Sequence, residues 1–286
     1  MTLEKDIKVF EREHSAFDVS LSAWKRDKPH GISGLFRLKD EGQFMDASVL
    51  SHIQWLDEVV LLVQESKDDT IEKAVELRNR YPDKIRVECY PFNVHPIGSA
   101  GHFDSPDNSV YTMMHLTNYG ISRCRYSWVA KIEGDVIALP TFQLIRDLVD
   151  MFPNELRHYG RVGLNLAGPY LDMISMTNPR NAGWDESVFN NRPDFYCVKA
   201  DKWESINMSD YRNTPGVMYC PGFSFMHTKR CKVGKTPGIE TWAPFTQENT
   251  RRALEEYGNI HPYPGKDNNP VPDFIFDVEW RSYIGY

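Results

Sequence analysis

YSWVAKIEGDVIALP, residues 126–140, is the stretch from which the rest of the chain is read. Trp128, Val129, Ala130 and Ile132 form an apolar, β-forming run that delivers two carboxylates, Glu133 and Asp135, on either side of Gly134; Pro140 closes the element. Residues i and i+2 of a strand point to one side, so the alternation predicts that both carboxylates face the same way. The glycine between them predicts that a bulky ligand approaches the backbone closely. Two hard oxygen donors on one edge suit a Mg²⁺ or Mn²⁺ ion that also binds a diphosphate, because such ions keep waters and substrate oxygens as remaining ligands. The plain alternative is a solvated acidic turn after a buried strand, and the neighbouring segments decide between the two.

Composition narrows the setting. A chain of 286 residues with 41% hydrophobic content can bury one large α/β core or two small ones. Aromatic residues make up 13%, and Trp and Tyr offer flat apolar faces with polar edges that suit sugar rings as well as cores. The net charge of −7, without a basic stripe, argues against a nucleic-acid surface, so a phosphate-bearing ligand needs a metal or a local basic pocket. The longest apolar run, VVLLV at 59–63, has strand length and falls short of a membrane span. The first residues, MTLEKDIKVFEREH, lack the apolar core of a signal peptide, and the expectation is a cytoplasmic protein. Cys89, Cys124, Cys197, Cys220 and Cys231 are scattered without a CxxC pair, which argues against disulfides and structural zinc.

Residues 1–29 are polar and read as an arm or early edge element rather than a domain. HGISGLFRL (30–38) is the first core strand, followed by an acidic turn and a helix over about 43–53. EVVLLVQES is a strand buried on both faces, and SKDDT (66–70) caps a helix over 71–81 that Pro82 ends. KIRVECYPF is a third strand. Strand and helix alternating in this way predict a parallel sheet, which binds ligands beyond the carboxyl ends of its strands. Three such ends are polar here: 37–41, 64–69 and 133–135. A Gly, Ser, Asp and Pro-rich loop follows, without GxGxxG or GxxxxGK[ST] spacing, and then a helix over about 111–124.

In this order the features resemble the nucleotide-sugar-binding half of GT-A glycosyltransferases, especially the family 2-like ones. The resemblance runs over about 30–140 and rests on Arg37-Leu38-Lys39-Asp40-Glu41, on DEVVLLVQESKDDT (57–70), on Asn118-Tyr119-Gly120, and on Glu133-Gly134-Asp135 in place of the acidic DxD motif. Gln64 stands where the family usually has an aspartate that recognises uracil or ribose. Thr117 replaces a common arginine, and Glu133 replaces the first aspartate of DxD. The resemblance implies a single GT-A-like, nucleotide-diphospho-sugar transferase-like α/β domain with a mixed, mainly parallel sheet flanked by helices. Residues 30–140 would bind the nucleotide sugar and 141–286 the acceptor.

The implied donor site comprises Phe36, Arg37, Glu41, Gln64, Asp68, Asn118, Glu133, Gly134, Asp135 and Lys229. The implied metal ligands for Mn²⁺ or Mg²⁺ are Glu133, Asp135 and His227, the last placed after an apolar strand at 223–226. NAGWDESVFNNRPDF (181–195) resembles the family's GFDExxF segment and the acidic pair after it, with Pro193-Asp194 in place of Glu-Asp. An inverting transferase needs a carboxylate to take the acceptor hydroxyl's proton; Asp194 is the first candidate, with Asp185, Glu186 and Asp172 behind it. The implied activity moves a sugar from a nucleotide diphosphate to a glycan, glycolipid or other hydroxyl acceptor, as in polysaccharide biosynthesis. Two other readings stand beside it. A nucleotidyltransferase shares the sheet and carboxylates but usually has a Gly-rich phosphate loop near its first strand, absent here. A non-catalytic sugar-binding domain keeps the aromatics and needs neither Asp194 nor His227.

Overall fold

The computed structural model describes residues 17–19, 24, 27–155, 158–161, 163–167, 173–175, 183–192, 195–200, 203–207, 217–219, 224–230, 232 and 242–244. Among these, the strands in chain order are β1 (Ile32–Leu38), β2 (Glu58–Gln64), β3 (Ile85–Tyr90), β4 (Trp128–Glu133), β5 (Val136–Ala138), β6 (His158–Arg161) and β7 (Gly163–Ala167). They continue as β8 (Met173–Ser175), β9 (Gly183–Asn190), β10 (Tyr196–Ala200), β11 (Trp203–Asn207), β12 (Val217–Tyr219), β13 (Phe225–Arg230) and β14 (Trp242–Pro244). The helices are α1 (Met45–His52), α2 (Thr70–Arg80), α3 (Ala100–Asp104), α4 (Met113–Arg123) and α5 (Phe142–Met151).

Ile32, Leu35, Phe36 and Leu38 of β1 and the VVLLV run of β2 are all buried, so both strands are covered on both sides, although β1 also carries Ser33 and Arg37. They pair in parallel at the centre of a seven-stranded sheet ordered β12-β6-β9-β4-β1-β2-β3. β4 joins β1 in parallel and β3 joins β2 in parallel, while β9 runs antiparallel to both β4 and β6. This is the mixed, mainly parallel, helix-flanked α/β sheet that the resemblance implied. A second sheet, ordered β14-β8-β7-β13-β5, branches off where the chain leaves β4, and β10 and β11 form a separate antiparallel pair.

Strand alternation divides the core into two layers. Ile32, Phe36 and Leu38 of β1, with Val59, Leu61 and Val63 of β2, pack with Met45 and Val49 of α1 and with Phe142, Ile145 and Val149 of α5. Leu35, Val60 and Leu62 point the other way, among Met114, Leu116, Tyr119 and Ile121 of α4. α2 ends at Arg80, just before Pro82, as the proline requires. Of the residues before 27, those described include Phe17, fully buried with its ring against Tyr90, Phe92 and Tyr119, and Trp24, whose indole Nε1 donates to Asn191 Oδ1 at 2.8 Å. Burying these two large aromatic side chains contributes several kcal/mol in order of magnitude.

One expectation is corrected. The strand does not run through Glu133-Gly134-Asp135: β4 ends at Glu133, the chain turns, and β5 begins at Val136 in the second sheet. Of the 181–195 segment, Gly183–Asn190 form β9, whose Ser187, Val188, Phe189 and Asn190 pair antiparallel with β4.

Candidate metal centre

Three chain segments meet at the carboxyl ends of β1 and β4, where an open parallel sheet places its ligands. The first is the turn between β4 and β5, which carries Glu133 and Asp135. The second is β13, which lies antiparallel to β5 with His227 opposite Val136. Thr228 fixes that register by donating from both its backbone nitrogen (2.9 Å) and its hydroxyl (2.8 Å) to the Asp135 carbonyl. His227 therefore lies within its strand, where the sequence reading put it beyond the strand end. The third segment is the turn after β1. Asp40 adopts a left-handed backbone (φ 55°), which aspartate tolerates better than most residues, and its carboxylate accepts from Lys67 N at 2.6 Å.

The SKDDT segment locks that turn from below. Ser66 Oγ accepts from Asp40 N, Thr70 Oγ1 from Glu41 N, and Asp68 Oδ2 from Gly42 N. Glu41 is thereby held against the β4–β5 turn. A Cβ added to Gly134 would lie 2.7 Å from Glu41 Cβ and Cγ and from Leu38 Cδ2. The close approach that the glycine permits is thus made by this chain's own Glu41 and Leu38. α1 supports the same turn through Ser48 Oγ, which donates to the Glu133 carbonyl at 3.1 Å, and Ser51 Oγ, which accepts from Ala138 N at 2.9 Å.

Glu133, Asp135 and His227 each bring one ligand atom within 4.8 Å of the others. His227 Nε2 is 3.2 Å from Asp135 Oδ1 and 3.5 Å from Glu133 Oε2. Asp135 is 1% exposed, and its Oδ1 faces only the His227 ring nitrogen among the described residues. A buried carboxylate is costly unless positive charge meets it, which here either a protonated His227 or a cation held by the neutral imidazole supplies. Two carboxylates and an imidazole form a donor set that fits Mn²⁺ or Mg²⁺.

Lys232 completes the centre, with Nζ 2.8 Å from Asp135 Oδ2 and 2.6 Å from Glu41 Oε2. Burial raises the Asp135 carboxyl, but the positive charge of His227 and Lys232 outweighs it and holds the group well below the usual carboxylate range. Glu41 goes the other way: burial first, then the negative charge of Asp135, push it up to about 8 against the pull of Lys232. The lysine is itself held above its ordinary range, because the two carboxylates outweigh its burial.

The remaining residues of the sequence reading divide. Arg37 reaches the centre: Nη2 lies 3.5 Å from Glu133 Oε1, and Nη1 donates to Thr117 Oγ1 at 2.9 Å, so the threonine at the arginine position serves as its anchor. Gln64 ends β2 as a buried side chain whose Nε2 has no hydrogen-bond partner among the described residues. Phe36 is fully buried in the core, edge-on to His52. Asn118 spends both ends of its amide on the Cys197 backbone, at 2.9 and 2.7 Å, and so ties α4 to β10. Asp68 holds the β1 turn, as described. Asp172 and Asp194 lie outside the described residues, as do the side chains of Asp185, Glu186 and Lys229. Lys232 is not among the residues the sequence points to; its only signal there is that it is the third cation in HTKRCK, after Lys229 and Arg230.

No sequence-family profile and no curated protein matches the chain. Solved structures do. S. aureus TarS 1–349 in complex with UDP is similar at a TM-score of 0.46 and 11% identity, over 78% of this chain and 63% of that one. The Mn²⁺ and uridine-diphosphate-glucose complex of glucosyl-3-phosphoglycerate synthase from Mycobacterium tuberculosis gives 0.33 and 14%, over 60% and 59%. A mannosyltransferase from Pyrobaculum calidifontis in complex with GDP-Man and Mn²⁺ gives 0.39 and 10%, over 98% and 75%. The chain thus spans less than two thirds of the TarS and synthase chains. The likeness is partial at these scores, and the cluster of Glu133, Asp135 and His227 stands independently of it. Among the described residues no helix is long and apolar enough to cross a membrane.

Proposed function

We propose that the chain is a metal-dependent glycosyltransferase that moves a sugar from a nucleotide diphosphate to a hydroxyl of a glycan or glycolipid, with inversion, in cytoplasmic polysaccharide synthesis. The observation that carries this reading is the cluster of half-buried Glu133 with buried Asp135 and His227 at the carboxyl ends of the parallel strands β1 and β4. A divalent cation held there would neutralise charge developing on a departing diphosphate, an electrostatic contribution of several kcal/mol in order of magnitude. The chain's own part is to present three ligand atoms from a rigid turn and a paired strand, with Arg37 and Lys232 adding positive charge beside them. Gln64, buried at the end of β2 with an amide nitrogen to spare, is the group on this side of the sheet suited to read a base edge.

The acceptor's proton is assigned to Asp194, with Asp172, Asp185 and Glu186 as the other candidates. A carboxylate there would hold the acceptor hydroxyl and take its proton as the oxygen attacks. Asp194→Asn keeps the shape and removes the basic oxygen, so transfer should stop while donor affinity stays nearly unchanged; retained turnover would move the base to one of the other three.

The deciding experiment measures nucleotide-sugar binding by calorimetry with Mn²⁺ and with EDTA. Asp135→Asn should weaken binding in Mn²⁺ by about tenfold or more, since loss of a direct ligand costs at least as much as loss of an outer-shell partner, and should change little in EDTA. Equal losses under both conditions would give Asp135 a purely structural role and remove the metal from the proposal.

A further inference from the structure

Each carboxylate of the cluster turns one oxygen toward His227 and has the other held by a basic side chain from a separate segment. In Asp135, Oδ1 is 3.2 Å from His227 Nε2 and Oδ2 is 2.8 Å from Lys232 Nζ. In Glu133, Oε2 is 3.5 Å from His227 Nε2 and Oε1 is 3.5 Å from Arg37 Nη2. The two basic residues are anchored away from the cluster, Lys232 on Glu41 at 2.6 Å and Arg37 on Thr117 at 2.9 Å. They are therefore fixtures of the site, and their hold on the carboxylates does not depend on a bound ion.

We infer that Lys232 and Arg37 are ion-selecting residues: by occupying one oxygen of each carboxylate they confine Asp135 and Glu133 to single-oxygen ligation, so that the centre takes a compact six-coordinate cation and discriminates against Ca²⁺. The inference rests on the reading of Glu133, Asp135 and His227 as a metal centre. Mg²⁺ and ions of its kind are octahedral and keep several waters or substrate oxygens, so three single-atom ligands suffice for them. Ca²⁺ takes six to eight oxygens and commonly gathers them from bidentate carboxylates. To do so here it would have to pull Asp135 Oδ2 from Lys232 and Glu133 Oε1 from Arg37. Both ions carry the same charge, so repulsion from the lysine and arginine weakens them alike; the difference lies in the number of oxygens each demands.

The test is a calorimetric titration of the metal-free full chain with Mn²⁺ and separately with Ca²⁺, for the wild type, Lys232→Met and Arg37→Met. Methionine keeps an aliphatic stem without the charge. The affinity ratio of Mn²⁺ to Ca²⁺ should fall by about tenfold in Lys232→Met, the lower end of what outer-shell substitutions cost in metal affinity, with the fall coming chiefly from tighter Ca²⁺ binding. His227 is present in every variant, so its own preference for Mn²⁺ cancels in the comparison. A role in folding or in overall charge would move both affinities together; an unchanged ratio in a folded variant overturns the inference. Arg37→Met supplies the same comparison from the other carboxylate should Lys232→Met fail to fold. If the wild type binds neither ion, the metal-centre reading falls and this inference with it, a result distinct from an unchanged ratio.

Discussion

Gly134→Ala places a single methyl group where the metal-bearing turn meets the end of β1. The added Cβ would stand 2.7 Å from three carbons, two of Glu41 and one of Leu38. Reaching ordinary contact at 3.4 Å requires a shift of about 0.7 Å. Neither neighbour yields cheaply: Leu38 is 1% exposed in the core, and Glu41 is pinned by Thr70 through its backbone and by Lys232 through its carboxylate. The turn itself must move, and Glu133 and Asp135 move with it while His227 stays paired in β13. Overpacking of this kind costs about 1–3 kcal/mol. In a protein of this size each kcal/mol lowers the melting temperature by about 2–4 °C. Melting with and without Mn²⁺ separates the two consequences, because an ion at a hundred times its dissociation constant adds about 2.7 kcal/mol to the wild type. The variant should melt lower without metal and should also lose most of the Mn²⁺ increment. A variant that melts like the wild type and keeps the full increment would refute the argument that Gly134 is required by the packing of Glu41 and Leu38.

Asn118→Ala removes both hydrogen bonds to the Cys197 backbone and should lower stability by about 2–3 kcal/mol in chemical denaturation; Mn²⁺ affinity should be unchanged, and a selective loss of ligand binding without loss of stability would restore Asn118 to the donor site. His158 is buried against the rings of Phe189 and Phe195, and burial, with Lys131 nearby, lowers its pKa to about 3. Its unfolded value is near 6.5, so between these limits the unfolded chain binds the extra proton: the stabilisation is complete above about pH 6.5 and is lost as the pH falls toward 3. His158→Gln should flatten that part of the stability profile measured by urea unfolding, and an identical slope in the variant would contradict the assignment.

The central sheet was legible because burial on both faces writes itself into composition: VVLLV in β2 admits no polar side, β1 sets buried apolar residues on both of its faces, and proline and acidic turns punctuate them. The Glu133–Asp135 pair and His227 were legible as residue types with the right chemistry, and the structure brings them together. The path of the chain between the carboxylates was not. A strand rule places i and i+2 on one side, and a tight turn that switches sheets also brings them together, so the right convergence was expected from the wrong local geometry.

Asn118 and Phe36 show why a position in a motif does not determine its use. Asn118 meets the Cys197 backbone 79 residues later in the chain, and no local pattern announces a partner that distant. Phe36 and Arg37 are neighbours in one strand; alternation alone sends the first into the α1 and α5 layer and the second toward α4 and Glu133. That parity rule was available from the sequence and would have separated them. Lys232 could not have been found this way. Its importance comes from the 2.6 Å contact with Glu41, and Glu41 is in place only because four hydrogen bonds join the turn after β1 to the turn after β2. Each of those bonds involves a residue that, read alone, is an ordinary surface Ser, Thr or Asp. A centre whose ligands are fixed by polar residues of three separated segments is readable in its ligands and opaque in its supports, and it is the supports that decide which oxygen of each carboxylate faces the ion.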